Sequence, residues 1–232
     1  MKNQYFGDRN DYFKYDLLIF LAEELSGIRK LSIIWMLTKD DTSGDGRKIK
    51  YSKGPGDRKL FRFLRGSLDA GVRDVARMKD YFREAGHGFD CCSYGAEKLF
   101  LHRDRTAYFE QIPQENLSKA VLFLDPDNGL EVKSATERNL HKYVKYEEVK
   151  SIYDGMSSDS CLVIYQHLPR IDRKYFLYNL YRDLKEYLKC PVPTSITDNQ
   201  VAFLILTKEK KRQEEVGKLL REYVRSNLQI VD

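Results

Sequence analysis

The sequence has few cysteines and no long apolar run. Its four cysteines show neither the spacing of a zinc site nor a disulfide framework, which favours a reducing, cytoplasmic environment. No segment approaches the roughly 18 apolar residues that a membrane-spanning helix needs, and the first residues lack the apolar core of a signal peptide. We therefore expect a soluble, cytoplasmic protein without a membrane partner.

The chain also has little net charge. Forty basic residues against thirty-five acidic ones leave a charge of +5, so a nucleic-acid-binding surface would have to be a local patch. We find no internal repeat and no low-complexity segment. With 232 residues, of which 42% are hydrophobic, we expect one α/β domain over 1–232, with a basic helical insertion at about 55–115.

Helical and strand patterns alternate along the chain. Apolar periodicity predicts helices over 12–25, 59–68, 73–85, 105–111, 146–156, 172–188 and 213–226. Short apolar runs predict strands over 31–38, 89–94, 120–124, 161–165 and 201–206, and residues 194–197 predict a further strand antiparallel to the last. This order favours a doubly wound, mostly parallel sheet.

The most informative segment is residues 120–129 (AVLFLDPDNG). Five apolar residues without alternation are typical of a parallel strand buried on both faces, and ligands of open α/β sheets bind at the carboxyl ends of such strands. Asp125, Asp127 and Asn128 are therefore predicted to lie at an active-site edge. The alternative is an Asx-type turn that only ends the strand.

A second polar loop follows the first predicted strand. Residues 41–47 (DTSGDGR) offer Asp41, Gly44 and Gly46, where small residues let the backbone approach a nucleoside and a carboxylate can bind its hydroxyls. The two glycines are equally compatible with a plain turn. The two loops together suggest two sides of one cleft.

These segments resemble the class I S-adenosylmethionine-dependent methyltransferases, within them the RlmJ-type adenine methyltransferases of ribosomal RNA. The resemblance spans residues 7–15 (GDRNDYFKY), the loop 41–47, the loop 125–128 (DPDN), residues 131–133 (EVK) and Tyr146. It implies a Rossmann-like methyltransferase fold that binds S-adenosylmethionine through Asp41, Gly44 and Gly46. It also implies that Asp125 accepts a hydrogen bond from the target amino group and that Lys14 lies nearby.

The loop 125–128 departs from the family pattern. Asp127 and Asn128 stand where the family has a second proline and an aromatic residue that stacks on the flipped base. A stacking ring would have to come from elsewhere in the chain. Candidates are Tyr12, Tyr143, Tyr146 and Tyr165.

Basic residues indicate a nucleic-acid partner, and the resemblance favours RNA over DNA. Within the predicted insertion, four of them recur at helical spacing and are expected to contact phosphates: Arg58, Lys59, Arg62 and Arg65. Arg170 could hold a phosphate and His167 could act as a base, although a histidine there is more often structural. A solvated helix face is the alternative for the insertion. In residues 173–182 the spacing predicts buried tyrosines and exposed charges.

Two other classes of function compete with the methyltransferase. Asp125, Asp127 and Glu131 supply oxygen ligands for a magnesium-dependent nuclease, although the Asn-Gly turn separates Glu131 from the other two. A non-catalytic binding partner with the methyltransferase fold would retain both loops only as turns.

Overall fold

The computed structural model describes residues 1–42, 44, 46–51, 58–198, 200–224 and 229–231, the last three by their backbone alone. Its helices are α1 (Arg9–Glu24), α2 (Arg58–Asp69), α3 (Met78–Ala85), α4 (Arg105–Glu110), α5 (Tyr146–Gly155), α6 (Arg173–Leu188) and α7 (Lys210–Tyr223). Its strands are β1 (Lys30–Trp35), β2 (Asp90–Tyr94), β3 (Ala120–Asp125), β4 (Gly129–Leu130), β5 (Tyr143–Val144), β6 (Cys161–His167), β7 (Thr194–Thr197), β8 (Val201–Thr207) and β9 (Gln229–Val231).

Seven strands form one central sheet in the order β2-β1-β3-β6-β8-β7-β9. Neighbours from β2 to β6 are parallel, whereas β8 is antiparallel to β6 and β7, and β9 is antiparallel to β7. Five of the seven strands therefore run in one direction. The expectation of a mostly parallel α/β sheet is confirmed, and the fold is consistent with a Rossmann-like architecture.

Helices cover both faces of this sheet. In β3, Val121 and Phe123 pack in one apolar cluster with α1, α2, α3 and α7, whereas Leu122 and Leu124 pack in another with α5 and α6. Because side chains on both faces are shielded from water, the strand has a continuous apolar sequence up to Asp125. Every residue of β3 is buried.

The predicted elements are largely confirmed, with shifted ends. α1 begins earlier than predicted because Asp8 caps it, accepting a hydrogen bond from Asp11 N at 2.9 Å. The predicted helix over 73–85 is shorter, since Asp74 accepts a bond from Ala76 N and caps a 3-10 turn that precedes α3. The predicted end of α7 at Ser226 lies outside the described residues. The antiparallel pairing of β7 with β8 is confirmed.

The segment predicted as a helical insertion at 55–115 also contributes to the central sheet. It contains α2, α3 and α4, and it contains β2, which pairs with β1 at one edge. Residues 52–57, where the predicted insertion begins, lie outside the described part of the chain. No described helix is long and apolar enough to cross a membrane.

The chain reverses its direction of strand addition between β1 and β3. After β1 it adds β2 on one side, and it then returns to place β3 on the other side. In open α/β sheets the crevice at such a switch point, beside the carboxyl ends of the strands, is where ligands bind. Trp35 of β1 is level with Asp125 of β3 at this point.

Candidate functional site

A cavity of about 260 Å³ lies at the carboxyl edge of the sheet, beside the ends of β3 and β6. Its walls come from the amino-terminal segment, the start of α1, the glycine-containing loop, the loop after β3, the end of β6 and the turn before β8. The residues that line it are Met1, Tyr5, Asp8, Asn10, Asp11, Lys14, Gly44, Gly46, Arg47, Lys48, Asp125, Pro126, Asp127, Asn128, Tyr165, His167, Gln200 and Val201.

Asp125 is the buried acid at the end of β3. It is 2% exposed, and its Oδ2 lies 2.9 Å from Lys14 Nζ on α1. Lys14 Nζ also lies 2.7 Å from Asp11 Oδ1, so one ammonium group bridges two carboxylates. Burial alone would lower the pKa of Lys14, but these two carboxylates raise it above its usual value. The structure thus brings Lys14, which the resemblance places near the site, to Asp125.

Two carboxylates at the start of α1 were not among the predicted site residues. Asp8 caps the helix, and Asp11 Oδ2 accepts a hydrogen bond from Gly7 N at 3.2 Å. Burial and the neighbouring charge of Asp11 raise the pKa of Asp8 to about 7. Burial likewise raises the pKa of Asp11. The cavity therefore contains a carboxyl group that changes its charge near neutral pH.

The amino-terminal residues contact the chain at the ends of β1 and β3. The Met1 amino group donates to Met36 O at 3.1 Å and to Asp125 O at 3.3 Å. Lys2 Nζ lies 2.7 Å from Asp41 Oδ2 and 3.3 Å from Asp127 Oδ2. Sequence reasoning missed both residues, because nothing in their sequence pattern indicates which distant carboxylates they contact.

The loop after β3 is fixed by neighbouring strands. Asn128 N donates to Lys142 O at 2.8 Å, and Asn128 O accepts from His167 N at 3.0 Å. Gly129 has φ of +113°, and a Cβ there would lie 2.4 Å from Gln166 Oε1. The turn before β5 and the end of β6 therefore hold Asn128 in place beside the cavity.

The residues of the glycine-containing loop differ in their contacts, since some line the cavity and others contact the amino-terminal segment. Gly44 and Gly46 line the cavity, whereas the carboxylate of Asp41 is engaged by Lys2 and by Gln4 Nε2 at 3.1 Å. At Gly46, with φ of +79°, a Cβ would lie 2.1 Å from Gln4 O. Gly46 is therefore needed for packing against the amino-terminal segment, while Gly44 offers open backbone. Ser43 and Asp45 of this loop lie outside the described residues.

One side-chain contact joins two segments that line the cavity. Lys48 Nζ donates to Gln200 Oε1 between the loop after β1 and the turn before β8. Arg9 N also donates to Lys48 O at 3.0 Å, which ties the same loop to the start of α1. Both side chains in the Lys48 to Gln200 contact are exposed.

The alternative magnesium ligands are not assembled as one set. Asp125 and Asp127 line the cavity, but Glu131 Oε1 accepts a hydrogen bond from Tyr146 N at 2.9 Å, at the start of α5. Among the described residues, no group of three or more His, Cys, Asp or Glu side chains could hold a metal ion. The geometry therefore gives the nuclease no metal centre at these residues.

The four tyrosines considered for stacking on a base lie in different parts of the structure. Tyr165 lines the cavity, whereas Tyr12 packs on Tyr51 with ring centroids 5.5 Å apart. Tyr146 packs against Tyr187 of α6 and Tyr143 belongs to β5. Tyr165 is therefore the candidate that the fold brings to Asp125.

The predicted phosphate-binding residues of α2 differ in their contacts. Lys59 Nζ donates to Ala85 O at 2.7 Å and Arg65 Nη1 donates to Ile49 O at 2.6 Å, so both stabilise neighbouring segments. Arg58 and Arg62 are exposed. Arg170 is also exposed, in the bend after β6, and His167 at the end of β6 lines the cavity.

A second cavity, of about 450 Å³, lies at the carboxyl end of β2. Its walls include the rings of Tyr94, Phe100 and Tyr108 and the charged side chains of Glu97 and Lys98. Sequence reasoning assigned no role to this segment. This cavity lies at the carboxyl end of β2, on the opposite side of β1 from the switch point.

Comparison with known proteins gives no further assignment. No protein-family model matches the chain, and no curated protein matches it.

Proposed function

We propose that the protein is an S-adenosylmethionine-dependent methyltransferase that acts on nucleic acid in the cytoplasm. The observation that carries this proposal is the convergence of three separate segments on one cavity: residues from 8–14, 44–48 and 125–128 all line it. These segments carry the resemblance to RlmJ-type methyltransferases. Unrelated short motifs would have no reason to meet in space.

The sheet and the cysteines support the same proposal. β8 runs antiparallel between β6 and β7, and a reversed strand at this late position is expected of a methyltransferase-type sheet. The cavity also lies beside the switch point, where cofactors bind in open α/β sheets. All four cysteines are free thiols, which fits the reducing cytoplasm.

The cavity lining fits a nucleoside cofactor in part. A Cβ on Gly44 would have Arg47 Cζ, at 4.0 Å, as its nearest neighbour, so a ligand can approach the backbone there. Asp8 supplies a carboxylate for hydroxyl or ammonium groups, and Asp127, whose Oδ2 lies 3.3 Å from Lys2 Nζ, offers its Oδ1. Asp41 is a poorer candidate than its motif implies, because Lys2 and Gln4 already engage it. S-adenosylmethionine, when bound, would supply the methyl group.

Asp125 is the residue proposed to orient the nucleophile. An amino group that attacks a methyl group must be held in line, and a carboxylate that accepts its hydrogen bond provides this orientation. Lys14 engages Oδ2 of Asp125, which leaves the acceptor role to Oδ1. The Tyr165 ring is the proposed stacking partner for the base, in place of the aromatic residue absent at Asn128.

Calorimetric titration with S-adenosylmethionine and S-adenosylhomocysteine tests the cofactor, and transfer of a radiolabelled methyl group to RNA tests the reaction. We expect Asp125→Asn to abolish transfer while cofactor binding remains within a few-fold of wild type. Lys142→Gln, which changes a half-exposed residue 4.0 Å from Asp127, is the matched control and should retain most activity. Absence of cofactor binding at millimolar concentration would refute the proposal.

The second candidate is a non-catalytic partner with the same fold. The ion pair between Asp125 and the buried Lys14 favours it, because one of the two oxygens of that carboxylate, Oδ2, is already engaged within the protein. This class predicts ligand or RNA binding without methyl transfer by the wild-type protein. The two experiments above therefore separate the candidates.

A further inference from the structure

Residues 173–182 of helix α6 present two tyrosines to solvent, contrary to the expectation that the tyrosines of this segment are buried. Tyr175 is 66% exposed and Tyr178 is 65% exposed, whereas Leu177 and Tyr181 of the same helix are buried. The expectation was wrong for these two because the apolar stripe of α6 is narrow. Leucines and Tyr181 already form that stripe against the sheet.

The exposed face of α6 is basic as well as aromatic. Residues 170–189 contain six basic residues against three acidic ones. Spacings of three and four residues put Tyr178 beside Lys174, Tyr175 and Arg182 on the surface of the helix. Of the acids, Asp172 caps the helix and Asp183 pairs with Arg182 at 3.0 Å. The face therefore has an excess of cations around two exposed rings.

This face begins at the edge of the sheet where the first cavity lies. β6 ends with His167, which lines that cavity, and α6 starts six residues later, at Arg173. The connecting segment contains the exposed Arg170 and Ile171, and Ile171 is 58% exposed. A nucleic-acid strand whose reacting base lies in the cavity would run along the surface of α6.

We propose that the face formed by Lys174, Tyr175, Tyr178 and Arg182, hereafter the α6 face, binds unpaired RNA. Bases of single strands stack on exposed aromatic rings while cations contact the phosphates, and duplexes do not offer their bases in this way. Tyrosine is also frequent at protein interfaces, and it is the excess of cations around the two rings that favours a polyanion such as RNA over a protein partner. The claim that the bound strand is RNA rests on the proposed function. The claim that the α6 face binds bases by stacking rests on its exposed rings and cations.

Binding of a fluorescein-labelled, 12-nucleotide single-stranded RNA, measured by fluorescence anisotropy without cofactor, tests the α6 face. Stacking contributes about 1–3 kcal/mol per base, so Tyr175→Ala with Tyr178→Ala should weaken binding about 30-fold or more. Replacing both residues by Phe should retain affinity within about threefold. Replacing both by Leu should weaken binding as Ala does, because Leu retains apolar area without a π face.

The cations are tested through the salt dependence. Arg182→Gln should reduce the slope of log affinity against log salt by roughly one. Lys211→Gln, an exposed residue on α7 across the sheet, is the matched control and should leave the slope unchanged. Thermal melting of each variant checks that the fold is retained.

Several results would overturn the inference. These are no RNA binding by the wild type, unchanged binding by the Ala pair, full binding by the Leu pair, or equal affinity for duplex RNA. Because no cofactor is present, these results leave the methyltransferase proposal untouched. Conversely, loss of RNA binding in the Ala pair, together with no cofactor binding by the wild type, would support the α6 face and refute the methyltransferase.

Discussion

Lys14 and Asp125 lie 111 positions apart in the sequence and form a buried ion pair with 2.9 Å between Nζ and Oδ2. Each side chain is about 2–3% exposed. The pair joins the first helix to the end of the central strand β3. Stability and the geometry of the candidate site therefore depend on the same contact.

We expect Lys14→Met to destabilise the fold by about 3–5 kcal/mol, because it leaves Asp11 and Asp125 buried without their shared cation. Urea unfolding measures this change. Lys142→Met, whose side chain is 32% exposed and 4.0 Å from Asp127, is the control and should cost less than about 1 kcal/mol. Similar losses in both variants would mean that Lys14 is not needed for charge compensation.

Asp8 should make stability depend on pH below neutrality. Its pKa is raised to about 7, so the folded state holds more protons than the unfolded state between the ordinary value of 3.8 and about 7. Stability should therefore fall as the pH rises through this range. Asp8→Asn keeps an N-cap and should be more stable than wild type at pH 8, by up to about 4 kcal/mol, with a smaller gain at pH 5.

Urea unfolding at the two pH values measures the Asp8 effect. Asp172→Asn changes the exposed N-cap of α6 and is the matched control, expected to have the same small effect at both pH values. If the gain from Asp8→Asn were equal at pH 5 and pH 8, titration of Asp8 would not be its cause.

The two glycines that line the cavity should respond differently to substitution. Gly46→Ala places a Cβ against Gln4 O at a positive φ, so it should displace the loop and lower the free energy of unfolding by about 1–3 kcal/mol. Gly44→Val meets open space and should leave thermal stability nearly unchanged. If the cavity binds the cofactor, Gly44→Val should still weaken binding in a titration. Unaltered cofactor affinity would exclude ligand contact at Gly44.

The contact between Glu148 and Arg105, which lies outside the candidate site, should contribute to the free energy of unfolding. Oε1 of Glu148 lies 2.9 Å from Nε of Arg105, and burial raises the pKa of Glu148 to about 7. Glu148→Ala should cost about 3–5 kcal/mol in unfolding experiments, because Arg105 would remain buried without its acid. Glu147→Ala, an exposed neighbour on the same helix, should cost under about 1 kcal/mol.

Local patterns sufficed for most of the fold. The apolar run before Asp125 predicted a strand covered on both faces, and helices cover both faces of β3. The short segment Thr194–Thr197 pairs with β8 as predicted. These predictions succeed because burial on one or two faces leaves a periodic trace in the sequence.

The candidate site was only partly predictable. Asp125 was predicted from the apolar strand before it and Lys14 from a resemblance, but Asp8 and Asp11 were missed, although an acid within an apolar helix, as Asp11 is, is a usable signal. The contacts of Met1 and Lys2 with the ends of β1 and β3 depend on how the chain packs, which no local pattern encodes. Tyr175 and Tyr178 show the same limit, because helical spacing does not say how wide the buried stripe is.

The Lys48 to Gln200 contact bears on how quickly the cavity can exchange its contents. It joins two exposed side chains that line the cavity, so a change of their rotamers is enough to break it. Rotamer changes of exposed side chains take picoseconds to nanoseconds, whereas collective domain motions take microseconds to milliseconds. Entry of a small molecule should therefore be limited by diffusion and desolvation rather than by a slow conformational step.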